Sequence, residues 1–384
     1  MALTVSISRK DDLPAIEARV HDFARNIGSA AHPETDRIAS FEARLVSDWS
    51  DHLFKEQWAG MAIAEGLSRA DLSVVKEKGL TGWPVLRDEA AQLNIPSLLA
   101  LQRGAQLTLA NGESPFAASE ARRYVIDRGG LLGRDSGRWR CLVELDPQAG
   151  VAPVLNSEMP RRDALITLVR AILEQLEVGA YGRRDPGHDL GPKASVLEFL
   201  SELHTNGWEH AREGSSVRTV RLMKHLYPER EGLAAKAGGF HELEAYIQSQ
   251  SRGNINLVEV SVSDFGPGIV DGFLDSFAGR SFRDKPREEV IERLLHTKLS
   301  AKSGDPNAGL GILYALEAAR AMWGFVSLRT GEFWFTLDGS TRDGEVRLVR
   351  RDGRYPKIQG THWQLLYPDM VQGGRAQGGA RAQD

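Results

Sequence analysis

This sequence has little cysteine, no long apolar run and only a small net charge. The single cysteine, Cys141, excludes an internal disulfide and a zinc site of the CxxC type, and it fits a reducing compartment. No apolar run approaches the roughly 20 residues that a membrane-spanning helix needs, and the N-terminus lacks the layout of a signal peptide. The formal net charge of -4 gives no basic field for nucleic acid. Together these absences predict a cytoplasmic protein without membrane or nucleic acid as a partner.

The length of 384 residues predicts two domains, each able to bury a core of its own. Residues 1–153 carry no motif that indicates a function. Their pattern predicts a separate N-terminal domain, either mixed α/β or mainly helical. Within them, the spacing of Phe41 and Leu45 is typical of a helix face. Residues 155–370 contain the motifs described below. Residues 371–384 are glycine-rich and of low complexity, which predicts a disordered tail.

One helix in the second domain carries an unusual polar face. The segment VLEFLSELHTNGWEHAR, Val196–Arg212, places apolar residues on one stripe at helical spacing. Glu202, Asn206 and His210 recur every four residues and therefore share a second face. A carboxylate, an amide and an imidazole stacked in this way indicate a site, although a solvated surface with chance spacing is the alternative.

Two glycine-rich segments follow this helix. In SVSDFGPGI, Ser261–Ile269, a short alternating strand ends at Asp264 and runs into a turn with two glycines. In NAGLGI, Asn307–Ile312, a glycine-rich turn opens a helix predicted over Leu310–Trp323. The free amides and the dipole at the start of such a helix favour anions. A Walker P-loop is absent, so a nucleotide site of that kind is excluded.

In this order, the motifs resemble those of the GHKL ATP-binding superfamily, which includes gyrase, the large heat-shock chaperone, histidine kinases and the mismatch-repair ATPase. ELHTN resembles the asparagine box of that superfamily, DFGPGI its first glycine box and NAGLGI its second. The segment GTHWQLLYP, Gly360–Pro368, is similar to the last strand of the kinase-type members. The resemblance covers residues from about 160 to 368. It implies an α+β fold for residues 155–370, a two-layer α/β sandwich of the Bergerat type with a mixed, largely antiparallel sheet and helices on one face.

The resemblance also implies a role for each polar residue. Asn206 would hold Mg²⁺ through its amide oxygen, a hard ligand of the kind that this ion prefers. Glu202, one helical turn earlier, would act as the general base for a water that attacks the γ-phosphate. Asp264 would accept a hydrogen bond from the adenine amino group, and His210 would lie near the phosphates. Surface residues with no ligand remain the alternative for Glu202 and His210. The alternative for Asn206 is a helix-face asparagine bonded to the backbone, and for Asp264 it is an ordinary turn aspartate.

The remaining nucleotide contacts would come from the two glycine boxes and from a mobile lid over residues 270–308. The residues expected to contact ATP in these segments are Gly266, Gly268, Ile269, Lys298, Lys302, Gly309, Leu310 and Gly311. Residues 225–254 form an insertion relative to the compact kinase-type domain, either a surface elaboration or a partner site. Outside the motifs, periodicity predicts helices over Arg161–Val178, His241–Gln250 and Arg287–Leu295, and strands over Trp139–Leu145, Val217–Met223, Asn256–Ser263, Phe325–Thr330, Phe333–Leu337, Val346–Arg350 and His362–Tyr367.

Three functions fit these motifs. The first is an Mg²⁺-dependent ATPase switch whose lid closure signals to the N-terminal domain, to a protein partner or to a second copy of the chain. The second is a protein kinase that phosphorylates histidine, or serine in the manner of the anti-sigma-factor kinases. The third is a nucleotide-binding regulatory module without catalysis. His21, in VHDFARN, faintly resembles a phosphoacceptor, but it lies far upstream of the ATP-binding motifs, which argues against a self-phosphorylating histidine kinase.

Overall fold

The structure is a computed structural model. It describes residues 3–7, 18, 41–45, 83–85, 107–109, 131–133, 139–145, 161–175, 191–210, 217–225, 232, 234, 237, 240–250, 256–264, 266–297, 309–340, 346–353, 355 and 357–369. The strands are β1 Leu3–Ile7, β2 Phe41–Leu45, β3 Trp83–Val85, β4 Leu107–Leu109, β5 Leu131–Gly133, β6 Trp139–Leu145, β7 Val217–His225, β8 Asn256–Asp264, β9 Phe325–Gly331, β10 Phe333–Asp338, β11 Val349–Arg350 and β12 Ile358–Asp369. The helices are α1 Arg161–Gln175, α2 Gly191–His210, α3 His241–Ser249, α4 Ile269–Asp275, α5 Arg287–His296 and α6 Gly311–Ala321, with a 3-10 helix over Ala278–Phe282.

The α+β class is confirmed by an eight-stranded sheet in the order β11-β10-β9-β12-β8-β7-β6-β5. Strand β12 lies near its centre, where it pairs with β8 through Trp363 and Val262 and with β9 through Trp363 and Leu328. Every described pairing in this sheet is antiparallel, so the prediction of a mixed sheet was wrong for it. The described parallel pairs, β1 with β2 and β3 with β4, form separate two-stranded sheets.

Strands β5 and β6 extend this sheet from a part of the chain that precedes the predicted domain boundary. Strand β6 pairs with β7 along its whole length, from Trp139 opposite Met223 to Leu145 opposite Val217. If the sheet marks the second domain, that domain begins before Leu131. The division of the chain at residue 153 stays a prediction.

Helices α1, α2 and α6 pack together on one face of the sheet and close a single apolar core. The inward stripe predicted for α2 is confirmed, because Val196, Leu200 and Leu203 are all buried. Alternation along the strands sends every second side chain to the same core. The sheet residues of this core are Val220, Leu222, Val258, Val260, Val262, Val326, Leu328, Phe333, Phe335, Leu337, Trp363, Leu365 and Tyr367.

The predicted insertion supplies a helix for the opposite face of the sheet. Just before α3, Phe240 packs edge-on against Phe325 and Trp334, with ring centroids 5.6 and 4.6 Å away. Within α3, the buried hydroxyl of Tyr246 lies 3.0 Å from the carbonyl oxygen of Leu366 in β12. Helix α3 is therefore part of the packed structure, and the expectation of helices on one face only was wrong.

Most of the predicted lid, residues 270–297, lies in a well-packed part of the structure. Helices α4 and α5 bury Val270, Phe273, Ile291 and Leu295 in the same core as α2 and α6. A loosely packed lid is therefore expected only over residues 298–308, which lie outside the described residues, as does the predicted tail of residues 371–384.

Several local boundaries differ from the sequence prediction, and two of these differences have a clear cause in the sequence. Phe41–Leu45 is the strand β2 and not part of a helix, because the segment FEARL alternates as well as it fits a helical stripe. Helix α2 begins at Gly191, five residues before the expected start, since Pro192 is tolerated in the first turn of a helix. Within the described ranges, no helix combines the length and the apolar character that crossing a membrane would require.

Candidate functional site

The start of α6 lies directly against the polar face of α2. A β-carbon placed on Gly311 would lie 2.9 Å from Glu202 Oε2 and 3.3 Å from Asn206 Nδ2. Any larger residue at the first position of this helix would make the ends of these two side chains shift. Glu202 and Asn206 are half-buried. The structure thus brings the second glycine box together with the carboxylate and the amide predicted from the sequence.

The packing of α2 explains why these side chains face α6. Leu200 and Leu203 are buried in the core. The adjacent face of α2 therefore carries Glu202 and Asn206 toward α6. Gly207 follows on the same helix and lets β8 approach. A β-carbon on Gly207 would lie 3.8 Å from Asp264 Oδ2.

Asp264 ends β8 and shapes the turn that follows it. Its Oδ1 accepts a hydrogen bond of 3.0 Å from the backbone N–H of Gly266, two residues later. Such a bond holds an aspartate at the beginning of a turn. The carboxylate is half-buried and is fixed between this turn and Gly207.

The glycine turn continues into α4 through a backbone that only glycine adopts readily. Gly268 has φ 85° and ψ 169°, a region that is essentially restricted to glycine. A β-carbon on it would lie 3.0 Å from Thr330 Oγ1 and 3.1 Å from the carbonyl oxygen of Gly360. The same Thr330 hydroxyl accepts a 3.0 Å hydrogen bond from the N–H of Ile269. The turn is therefore held tightly against β9 and β12, and we name it the Gly268 turn.

A small, shallow cleft lies beside Asp264, between α2, β8 and β12. Its lining consists of Leu203, His204, Gly207, Val262, Ser263, Asp264, Thr361 and Trp363. Apolar walls with a few polar groups are typical of small-molecule sites. Of the predicted site residues, this lining includes Asp264 but not Glu202, Asn206 or Gly309.

A cluster of charges lies beside the Gly268 turn and consists of Asp271, Arg287, Glu332 and Lys357. Arg287 pairs with both carboxylates, and Lys357 Nζ lies 2.8 Å from Asp271 Oδ2. Burial alone would raise the pKa of Asp271, but hydrogen bonds from Arg287 and Lys357 outweigh it and hold this pKa below its ordinary value. Burial would lower the pKa of Arg287, yet its two carboxylate partners raise it further above its already high value.

Other predicted residues are placed less fully. Gly309 has φ 85°, as a glycine turn before a helix requires, and Leu310 caps the start of α6. His210 is the last residue of α2, and its side chain lies outside the described structure. Lys298 and Lys302 also lie outside the described residues.

The sequence analysis did not single out three residues that the structure places here. Thr361 was within reach of sequence reasoning, because it lies in the G-T segment of the last strand. His204 is buried between the polar residues of α2, and it lines the cleft. No local pattern distinguishes Thr330, whose role depends on the approach of β9 to the Gly268 turn.

Within the described residues, no group of three or more His, Cys, Asp or Glu side chains could hold a metal ion by itself. A magnesium ion at Asn206 would therefore take most of its ligands from phosphate and water, as this ion usually does.

No protein-family model and no curated protein matches the chain.

Proposed function

We propose that this chain binds Mg²⁺–ATP between α2, β8, β12 and the start of α6. The observation that carries the proposal is the contact of Gly311 with Glu202 and Asn206. It places the start of a helix, whose amides and dipole favour phosphate, beside an amide oxygen suited to Mg²⁺ and a carboxylate. These are the groups that a triphosphate and its metal need.

The cleft beside Asp264 supports adenine binding at the other end of the site. Leu203 and Trp363 give it apolar walls, and Asp264 and Thr361 give it polar groups that could recognise the edge of a base. We assign this cleft, at the Asp264 end of the site, to the base. The phosphates would extend from it along α2, past Asn206, toward Gly309 and Gly311.

The arrangement of helices and strands supports the two-layer Bergerat sandwich of the GHKL superfamily for residues 155–370, with β5 and β6 extending its sheet from the preceding residues. An antiparallel sheet carries α1, α2 and α6 on one face, and the three motifs lie on elements of that face. Helix α3 would then be an addition to the second face. We assign residues before this unit to a separate N-terminal domain and place the protein in the cytoplasm.

Within this site, Asn206 would hold Mg²⁺, and Gly309, Leu310 and Gly311 would bring backbone amides to the phosphates. The metal would neutralise the charge of the β- and γ-phosphates. Glu202 lies one helical turn from Asn206, where its carboxylate can accept a proton from an attacking water. His210, Lys298 and Lys302 would add donors near the phosphates.

We infer that the reaction is ATP hydrolysis and that the protein works as a switch, with lid closure over the nucleotide signalling to the N-terminal domain, a partner protein or a second copy. The position of Glu202 beside Gly311 favours hydrolysis over transfer, because a carboxylate there can activate water.

Incubation of the full chain with Mg²⁺ and ATP labelled at the γ-phosphate tests this function. We expect labelled phosphate to be released, with no label on the protein. Label retained on the protein would instead indicate a kinase. ATP binding with neither phosphate release nor labelled protein would indicate a regulatory module. In the same assay Glu202→Ala should reduce the release of phosphate. Glu317→Ala is its matched control, because Glu317 is exposed on α6 and its loss should not affect release.

A further inference from the structure

The charge cluster defined above connects four separate segments of the chain through one arginine. Arg287, the first residue of α5, donates from Nη1 to Asp271 Oδ1 in α4. It also donates from Nε and Nη2 to the two oxygens of Glu332, at 2.5 and 3.4 Å, in the turn between β9 and β10. Lys357, just before β12, completes the cluster through Asp271. Three donors in a fixed fork allow one side chain to hold two carboxylates, which a lysine could not reproduce.

The residues of this cluster lie within a few positions of the residues that form or contact the Gly268 turn. Asp271 lies in the first turn of α4, three residues after Gly268. Glu332 lies two residues after Thr330, whose hydroxyl accepts the hydrogen bond from Ile269. Lys357 lies three residues before Gly360, whose carbonyl oxygen faces Gly268. The end of β9 is therefore linked to α4 through Arg287, and the start of β12 is linked to α4 through the Lys357–Asp271 pair.

We propose that Arg287 is a positioning residue that holds the Gly268 turn against β9 and thereby shapes the base-binding end of the nucleotide site. This inference rests on the proposed function for the identity of the ligand, but the positioning itself can be measured without nucleotide. Because ATP and ADP share the base, losing Arg287 should weaken both equally. Turnover at saturating ATP should change little, since Glu202 and Asn206 belong to α2.

Amide hydrogen exchange in the ligand-free full chain tests the positioning directly. The informative amides are those of Ile269, bonded to Thr330 Oγ1, and Gly272, bonded to the Gly268 carbonyl. In Arg287→Ala these amides should exchange about five-fold faster, the change expected when two partly exposed ion pairs are lost. Arg287→Lys should restore only part of the protection, because a lysine holds one carboxylate at a time.

Arg347→Ala is the matched control. Arg347 also ties α5 to a neighbouring segment, through a 3.4 Å pair with Glu292, but it is 58% exposed and belongs to another part of the fold. Its loss should leave exchange at Ile269 and Gly272 unchanged. Equal exchange rates in wild type, Arg287→Ala and Arg347→Ala would overturn the positioning role.

Titration with ATP and with ADP then tests whether Arg287 affects the affinity for nucleotide. We expect the Kd of both nucleotides to rise about five-fold in Arg287→Ala, with kcat within about two-fold of wild type. Unchanged affinity, or a loss confined to kcat, would overturn the link to the base-binding end. If the wild type binds neither nucleotide, the proposed function fails, and the exchange experiment still decides whether Arg287 positions the turn.

Discussion

The substitution Gly311→Ala examines the contact on which the proposed site depends. An added β-carbon would lie 2.9 Å from Glu202 Oε2, whereas ordinary contacts begin at 3.4 Å, so the carboxylate must retreat by about 0.5 Å. The end of a glutamate side chain can move that far with little cost to the fold. The alanine also favours the helix by up to about 1 kcal/mol.

The expected result is therefore a folded protein with impaired chemistry. A displacement of about 1 Å can reduce an enzymatic rate about 100-fold, so half that distance should reduce turnover about ten-fold. Steady-state phosphate release measures this effect, and thermal unfolding measures stability, which should stay within about 5 °C of wild type. Asn206, whose Nδ2 would lie 3.3 Å from the added carbon, should shift as well and weaken the affinity for Mg²⁺–ATP.

Gly232→Ala provides the control, because an added β-carbon there meets nothing within 4 Å. It should leave turnover and stability unchanged. Wild-type turnover in a folded Gly311→Ala protein would refute the assignment of Glu202 and Asn206 to the reaction. A large loss of stability would show instead that Gly311 serves the packing of α6 and not the site.

Three further predictions follow from the same residues. Glu202→Ala should leave ATP binding nearly intact and reduce turnover by about 10²–10⁴, measured as phosphate release, and undiminished turnover would remove Glu202 from the mechanism. Gly268→Ala should lower the free energy of unfolding in denaturant by about 1–3 kcal/mol because of its backbone conformation, whereas Gly207→Ala, with 3.7 Å to Asp264 Cβ, should not. Asp271→Asn should destabilise the protein at neutral pH, because the lowered pKa of Asp271 makes its ionised form stabilising above the unfolded pKa of about 3.9. That stability is lost as the pH falls through the lower folded pKa, so unfolding curves of wild type and variant should converge below about pH 4, and a constant gap would contradict this reasoning.

Most of the helices and strands described between residues 161 and 369 could be predicted from periodicity, because the strands alternate and the helices carry continuous apolar stripes. Strand β12 and helix α2 are examples, since Leu365, Trp363, Leu200 and Leu203 mark their buried faces without any tertiary information. Helix α4 could not be predicted in this way. It has only seven residues, and it is stabilised by the packing of Phe273 in the core and not by its own helix propensity.

The candidate site was predictable to the extent that its residues follow one another along the chain. Glu202 and Asn206 lie one turn apart on one helix, so their common face could be inferred from spacing alone. The contact with Gly311 and the ion pairs of Arg287 join segments that are far apart in sequence. Such contacts depend on how the helices and strands pack, and no local pattern records them.

Isothermal titration of the full chain with Mg²⁺–ATP is the most direct measurement of the central claim. We expect saturable binding by the wild type and a loss of about 1–3 kcal/mol in Asp264→Asn, the range for a hydrogen bond to a charged group. ADP should show the same loss, because Asp264 is assigned to the base. Absence of binding by the wild type, or equal affinity in Asp264→Asn, would contradict a nucleotide site in the cleft beside Asp264.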